Sequence, residues 1–123
     1  MITGSVNALL ESIIPMSLYS HDGRMLAVDA LIDTGFNGFL TLPNAILGRL
    51  GLAITSYTSA ILGNGSEVRF AMFETKLSWH GADRVVSVLE TEGSPLIGMA
   101  LLQGGELQIQ VKATGQVTIT PMA

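Results

Sequence analysis

Asp33 stands at the end of an apolar run, Ala30-Leu31-Ile32, and is followed by Thr34 and Gly35 before the chain becomes apolar again at Phe39-Leu40-Thr41-Leu42. A carboxylate carried out of a buried strand on a tight loop can take or give a proton at a fixed point, which is general acid-base chemistry. Thr34 is suited to bond to neighbouring backbone and hold the loop. Gly35 allows a backbone conformation or a close approach that a side chain would block. By itself, the tripeptide reads more readily as a strand-to-turn transition, because Asp, Thr and Gly are all common turn residues.

Other chemistries find little support. There is no Cys, which removes thiolate nucleophiles, disulfides and thiolate metal sites. His21 and His80 lie far apart beside turns and offer too few ligands for a metal, so no metal or other cofactor is expected. Gly63-Asn64-Gly65 lacks the Lys-Ser/Thr continuation of a phosphate loop. A Gly-x-Ser-x-Gly nucleophile elbow is absent. Asp29 reads as a solvated strand charge, and Asp22 and Asp83 as turn formers.

The elements that would position Asp33 are mostly strands. β-prone runs cover Ile13 to Ser20, Met25 to Ile32, Glu67 to Trp79, Arg84 to Glu90, Leu107 to Lys112 and Val117 to Thr120, separated by Gly-containing turns. Such spacing reads as an all-β sandwich or barrel. Two short helices are expected. One runs from Pro43 to Leu50, with Pro in its first turn and Gly51 past its end; the other runs from Met99 to Gln103 and closes at Gly104-Gly105. Ile61 to Glu67 reads as a hairpin tip, and Leu96-Ile97-Gly98 repeats the apolar pair that precedes Asp33.

The 123 residues are expected to form a single domain, 1–123. Only 13% are charged and 48% are hydrophobic, which favours burial of apolar surface against a partner, most simply a second copy. A net charge of −4 with scattered basic residues argues against a nucleic-acid surface. No apolar run reaches the ~18 residues of a membrane span, and no basic residue precedes Arg24, so a cytoplasmic protein without a membrane partner is expected.

The ordered set of Leu31-Ile32-Asp33-Thr34-Gly35, a Gly-rich hairpin at Leu62 to Glu67 and Leu96-Ile97-Gly98 before a short helix resembles the retropepsin-like aspartic proteases. It is especially similar to small bacterial members with Asp-Thr-Gly-Phe-x-Gly-Phe-Leu-Thr-Leu-Pro. The resemblance runs from about Ile14 to Pro121 and implies a closed β-barrel or sandwich lobe that works as a two-fold homodimer on a peptide or protein substrate. It implies that Asp33 is catalytic, that Thr34 bonds across the dimer axis and that Gly35 completes the loop. Leu62, Gly63, Asn64 and Gly65 would belong to a flap over the substrate, with Phe36, Leu96 and Ile97 also lining the cleft and Leu96-Ile97-Gly98 threading beside the Asp33 loop to support it. The second Leu-Ile-Gly segment carries no Asp, so the second carboxylate would come from Asp33 of the other copy.

Two positions depart from the viral members of that family. Phe36 replaces a small residue, and its bulk would desolvate a neighbouring acid pair and raise its pKa values. Met99 replaces an Arg that pairs with charge across the viral dimer, so this dimer would be held differently. A dimeric peptide-binding or scaffolding domain with the same fold and little catalysis is the alternative reading.

Overall fold

The computed structural model describes residues 1–61 and 63–123. Among the described residues, ten strands and two short helices follow one another as β1 (Ile2–Val6), β2 (Ser12–Tyr19), β3 (Met25–Ile32), β4 (Leu40–Leu42), α1 (Asn44–Leu50), β5 (Ser56–Ile61), β6 (Glu67–Trp79), β7 (Ala82–Glu90), β8 (Leu96–Ile97), α2 (Met99–Leu102), β9 (Gly105–Ile109) and β10 (Gln116–Pro121). The order across the sheet is β5-β6-β7-β4-β8-β3-β2-β1-β10-β9, and a further β6–β2 pairing closes β2, β3, β8, β4, β7 and β6 into a ring. The expected all-β barrel with two short helices is what the chain forms. Among the described residues, no helix is long and apolar enough to cross a membrane.

Alternation along the strands builds the core. In β2, Ile14, Met16 and Leu18 point inward; in β6, Phe73, Thr75, Leu77 and Trp79 do. They pack with Leu40, Leu42, Val88, Ile97 and Leu101. Helix α1 adds Leu47 and Leu50 to this core. It ends at Gly51, whose φ of 67° is the left-handed conformation that glycine adopts freely.

Pro15 sits in the middle of β2, where a missing N–H is normally costly. Along its length β2 pairs with β3, but on its other side it pairs with β1 only at Ser12 and Ile13 and with β6 only at Leu18 and Tyr19. Pro15 falls in the gap between those partners, so no ladder bond is lost there.

β1, β5 and the two-residue β8 lie outside the strand expectations. In β1 the inward position between Ile2 and Val6 is Gly4, where a Cβ would collide with the Ile13 carbonyl oxygen. The close approach of β2 thus removes the apolar residue that would have revealed the alternation. In β5 every residue is exposed, so there is no buried face to show a period. At the other end, the run expected to extend to Lys112 stops at Ile109. The chain there folds into a loop in which the Gly115 N–H bonds to the Lys112 oxygen at 2.8 Å, leaving Val111 exposed.

Thr41 is the buried polar residue between Leu40 and Leu42. Its hydroxyl oxygen accepts a hydrogen bond from the Leu96 N–H at 3.0 Å, tying β4 to β8. Thr41→Val keeps the shape and orphans that N–H, so it should destabilise the chain by about 1–3 kcal/mol, read as a lowered midpoint in urea unfolding.

Candidate active site

The loop that carries Asp33 begins where β3 ends. β3 and β8 run parallel with Leu31 opposite Leu96 and Ile32 opposite Ile97, so the two Leu-Ile segments lie side by side. The pairing continues into the loop: the Leu31 N–H bonds to the Pro95 oxygen at 2.8 Å and the Asp33 N–H to the Ile97 oxygen at 2.9 Å. On its other side β8 pairs antiparallel with β4, with Leu40 opposite Ile97. The short strand β8 is therefore clamped between the strand that enters the Asp33 loop and the strand that leaves it.

Helix α2 fixes the rest of the loop. A helix start has N–H groups without partners inside the helix. Here they point at loop carbonyls. The Gly98 N–H bonds to the Phe39 oxygen at 3.0 Å, the Met99 N–H to the Phe36 oxygen at 2.8 Å and the Ala100 N–H to the Gly38 oxygen at 3.1 Å. This contact leaves no space for a side chain at position 98. A Cβ on Gly98 would meet the Gly38 carbonyl oxygen and the Phe36 ring. The ring also folds over Gly38, where a Cβ would strike it. Phe36 thus packs on two glycines of the loop and its clamp.

Within the loop, the Asp33 carboxylate accepts a hydrogen bond from the Gly35 N–H at 3.0 Å, and the Phe36 N–H bonds to the Asp33 carbonyl oxygen at 3.1 Å. The carboxylate is half-buried. One of its oxygens is oriented by the backbone. Thr34 is exposed, and among the described residues its hydroxyl makes no hydrogen bond. The local role expected for Thr34, bonding to neighbouring backbone, is filled instead by the Gly35 and Phe36 N–H groups.

Several other carboxylates have partners or places away from this loop. Asp22 sits in the β2–β3 turn, where the Ser20 hydroxyl and the Arg24 N–H hold its carboxyl below the usual range. Asp83 accepts a hydrogen bond from the Tyr19 hydroxyl at 3.1 Å, which pushes the phenol's pKa up. Asp29 lies exposed in β3, opposite Pro15. Four residues of strand place it about 13 Å from Asp33. Glu11 and Glu90 bond to Asn7 and Asn44. His21 and His80 stand in different turns, and burial pushes the His80 imidazole below its ordinary value. Among the described residues no group of three or more His, Asp or Glu side chains converges as a metal site would.

Asp33, Thr34, Gly35, Phe36, Leu96 and Ile97 are therefore brought together. Ile97, however, has no exposed surface. It carries the loop from within the core, which corrects the expectation that it lines a substrate cleft; Leu96 is half-buried. Gly63, Asn64 and Gly65 lie at the tip of the β5–β6 hairpin, and Leu62 lies outside the described residues. The Asn64 side-chain oxygen accepts from the Ser66 N–H at 2.9 Å and the Ser66 hydroxyl at 2.6 Å, and Gly65 takes a φ of 84°. Nothing comes within 4 Å of where a side chain on Gly63 or Gly65 would begin. Sequence reasoning passed over Thr41 and Gly38. The signals were there: a lone hydroxyl between two core leucines, and a second glycine two residues after Phe36.

No protein-family model matches the chain, and no curated protein matches it. A solved structure does. The crystal structure of a retropepsin-like aspartic protease from Rickettsia conorii matches with a TM-score of 0.61, over 99% of this chain and 91% of that one, at 14% sequence identity. The chain has the retropepsin-like fold. At that identity the likeness establishes architecture, and chemistry must be argued from the residues themselves. In this retropepsin-like barrel the Asp33 loop is held by backbone contacts that depend on Gly98. Gly98→Ala should lower stability by about 1–3 kcal/mol, because neither the Gly38 carbonyl nor the packed Phe36 ring can move away freely. Gly63→Ala, in open space, should change it by less than about 0.5 kcal/mol. Parallel denaturant titrations of the two variants check the contrast.

Proposed function

We propose that two copies of this chain form an aspartic endopeptidase in which the two Asp33 carboxylates share one proton across a two-fold axis. The observation that carries the reading is the Asp33 carboxylate itself, oriented by the Gly35 N–H on a loop clamped by β8 and α2. The retropepsin-like fold supports it. So does the placement of the other acids, each in a turn, on a strand face or bonded to another side chain. A second Asp33 is then the available partner, and a two-fold axis supplies it with the same geometry.

Peptide hydrolysis follows from such a pair. The ionised Asp33 takes a proton from water as the water oxygen attacks the scissile carbonyl carbon. The protonated Asp33 gives its proton to the carbonyl oxygen, leaving a neutral gem-diol. The first carboxyl, now protonated, then donates to the amide nitrogen while the other takes back a diol proton. The C–N bond breaks, and acid and amine depart with one proton again shared by the pair. Two adjacent carboxyls do not both ionise readily, which keeps one acid and one base present together. No metal or cofactor is required. An extended peptide would lie under the β5–β6 hairpin, whose tip residues Gly63, Asn64 and Gly65 would close over it. The substrate is a peptide or protein chain, and the setting proposed is the cytoplasm.

Asp33→Asn preserves shape and removes the titrating proton from both halves of the site. Turnover of a mixed peptide library should fall by at least about a hundredfold to ten-thousandfold, with the dimer and its fold retained. Wild-type activity should follow a bell-shaped pH profile with an acidic optimum, both limbs belonging to the pair. Full cleavage by Asp33→Asn would sink the assignment. Peptide binding without cleavage by the wild type at every pH would make the chain a peptide-binding module instead.

The hairpin provides a separate check. Amides at 63–67 should exchange rapidly in the free protein and slow on addition of a peptide mimic with a hydroxyl in place of the scissile carbonyl. Slow exchange unaffected by that ligand would remove the hairpin from the site.

A further inference from the structure

Away from the Asp33 loop, a cavity of about 440 Å³ opens beside the middle of β2, lined by Pro15 and Ser17 on that strand and by Ser78, Trp79 and His80 at the end of β6. Pro15 and Ser17 lie opposite Asp29 and Ala27 of β3, which places them about 13–20 Å along the strand from Asp33. The cavity is the space where β1 and β6 part. β1 pairs with β2 at Ser12 and Ile13, and β6 pairs with it at Leu18 and Tyr19. Alternate residues of a strand direct their N–H and C=O groups to the same side. Ile13 faces β1, because its carbonyl oxygen is what a Cβ on Gly4 would strike. Pro15 and Ser17 therefore face the same way, and among the described residues neither β1 nor β6 places a paired residue opposite them. The Ser17 N–H is left as an unmatched donor, and the Pro15 carbonyl, with two lone pairs, stands beside it as an acceptor. The adjoining wall is unsatisfied too. His80 Nδ1 is buried and, among the described residues, has no hydrogen-bond partner, an unusual state for a buried polar atom.

We propose that this gap receives an extended, uncharged peptide segment, laid along β2 as an added strand between β1 and β6. One residue of a segment running parallel to β2 meets both open groups, its N–H at the Pro15 carbonyl and its own carbonyl at the Ser17 N–H. Proline fits this arrangement, since the pairing never asks for the N–H that Pro15 lacks. The unpaired stretch of β2 between Ile13 and Leu18 is about 13 Å long, room for about four residues of the segment. Charge narrows the occupant. No carboxylate, ammonium or guanidinium side chain lines the cavity, and burial holds the His80 imidazole below its ordinary value. A charged side chain entering here would lose water without gaining a partner, whereas a backbone amide finds both a donor and an acceptor. Binding at this gap is separate from the chemistry of Asp33, because β3 lies between β2 and the strand that clamps the Asp33 loop.

The experiment is an NMR titration of the nitrogen-15-labelled chain carrying Asp33→Asn, so that no peptide is cut and binding alone is read. The probe is acetyl-Thr-Val-Thr-amide, an uncharged, β-prone peptide with both ends blocked. Amide resonances of residues 16–19 and 78–81 should shift on its addition. A twin N-methylated at every residue should bind at least about tenfold more weakly, because it has lost the donor for Pro15. Ser17→Pro should weaken the parent peptide at least about tenfold as well, since it removes the unmatched donor without breaking a ladder bond. Ser78→Leu, which fills the cavity and leaves β2 untouched, should abolish the shifts; the rest of each spectrum checks that the variant is folded. Shifts confined to residues 33–36 and 63–67 would place the peptide at Asp33 only and overturn the inference while supporting the protease reading. Equal binding of the N-methylated twin would reduce the gap to an apolar cavity, and binding of only the peptide with a free carboxylate end would make it an anion site; either overturns the inference. Shifts of the same residues with protein concentration alone would give the gap to a second copy, and no shift at saturating peptide would leave it without a ligand of this class; both overturn it.

Discussion

Position 98 has no room for even a methyl group, and the geometry around Asp33 follows from that fact. Because Gly98 lacks a side chain, the start of α2 comes up against the loop closely enough for its free N–H groups to reach the carbonyl oxygens of Phe36, Gly38 and Phe39. A helix start normally looks to a side-chain cap or water for those partners. Here α2 has no side-chain cap, and the loop supplies the acceptors. One set of hydrogen bonds thus finishes the helix and fixes the loop. The Phe36 ring then covers the two glycines that make the approach possible. No ion pair is needed to hold the carboxylate, and the Asp33 side chain is left free for a proton.

That contact is sustained by the barrel. β8 is two residues long and would be worthless as an isolated strand. It is stable because β3 and β4 flank it, because Thr41 ties its first N–H to β4, and because Ile97 is buried beneath it. β3 in turn is fixed along its whole length by β2, which reaches round to β6 and closes the ring. Long strands with broad apolar faces carry the short ones that hold the site. The β5–β6 hairpin stands outside this arrangement: β5 is exposed throughout and its tip packs against nothing around its two glycines. Close packing is concentrated at Asp33, and open space surrounds the glycines of the hairpin tip.

Much of this could be read from the amino acids alone, for physical reasons that differ by element. β2, β3, β6 and β7 bury one face each and so show alternation. α1 is bounded by Pro43 and Gly51, whose backbone preferences survive any tertiary context. The repeated Leu-Ile announced two equivalent segments, and they prove to be neighbours in register. What stayed hidden depends on contacts between distant parts of the chain. Gly4 conceals β1 because another strand approaches it, and β5 shows no period because neither face is covered. Val111 continues an apolar alternation past the end of β9, since a tight loop rather than a buried face governs that stretch. At the site, Asp33 by itself read as a turn residue; only its order with the Gly-rich hairpin and Leu96-Ile97-Gly98 set it apart. The burial of Ile97 and the idle hydroxyl of Thr34 were not legible, because both depend on which side of a loop faces the core.

The free hydroxyl of Thr34 has a consequence for how the two halves would meet. Inside one chain the loop's structural demands are met by backbone groups: the Gly35 and Phe36 N–H groups turn inward to Asp33, and the start of α2 takes the loop carbonyls. Thr34 and Asn37 are exposed on the same loop and border an uncharged, methionine-lined cleft. A polar group with no partner at home costs little while it faces water, and it requires a partner once water is excluded. On the reading proposed above, a second Asp33 brought to this loop would exclude water from Thr34, and the hydroxyl would then need an acceptor or donor in the other copy. The backbone groups that would otherwise serve are already committed within the chain, to Asp33 and to the start of α2.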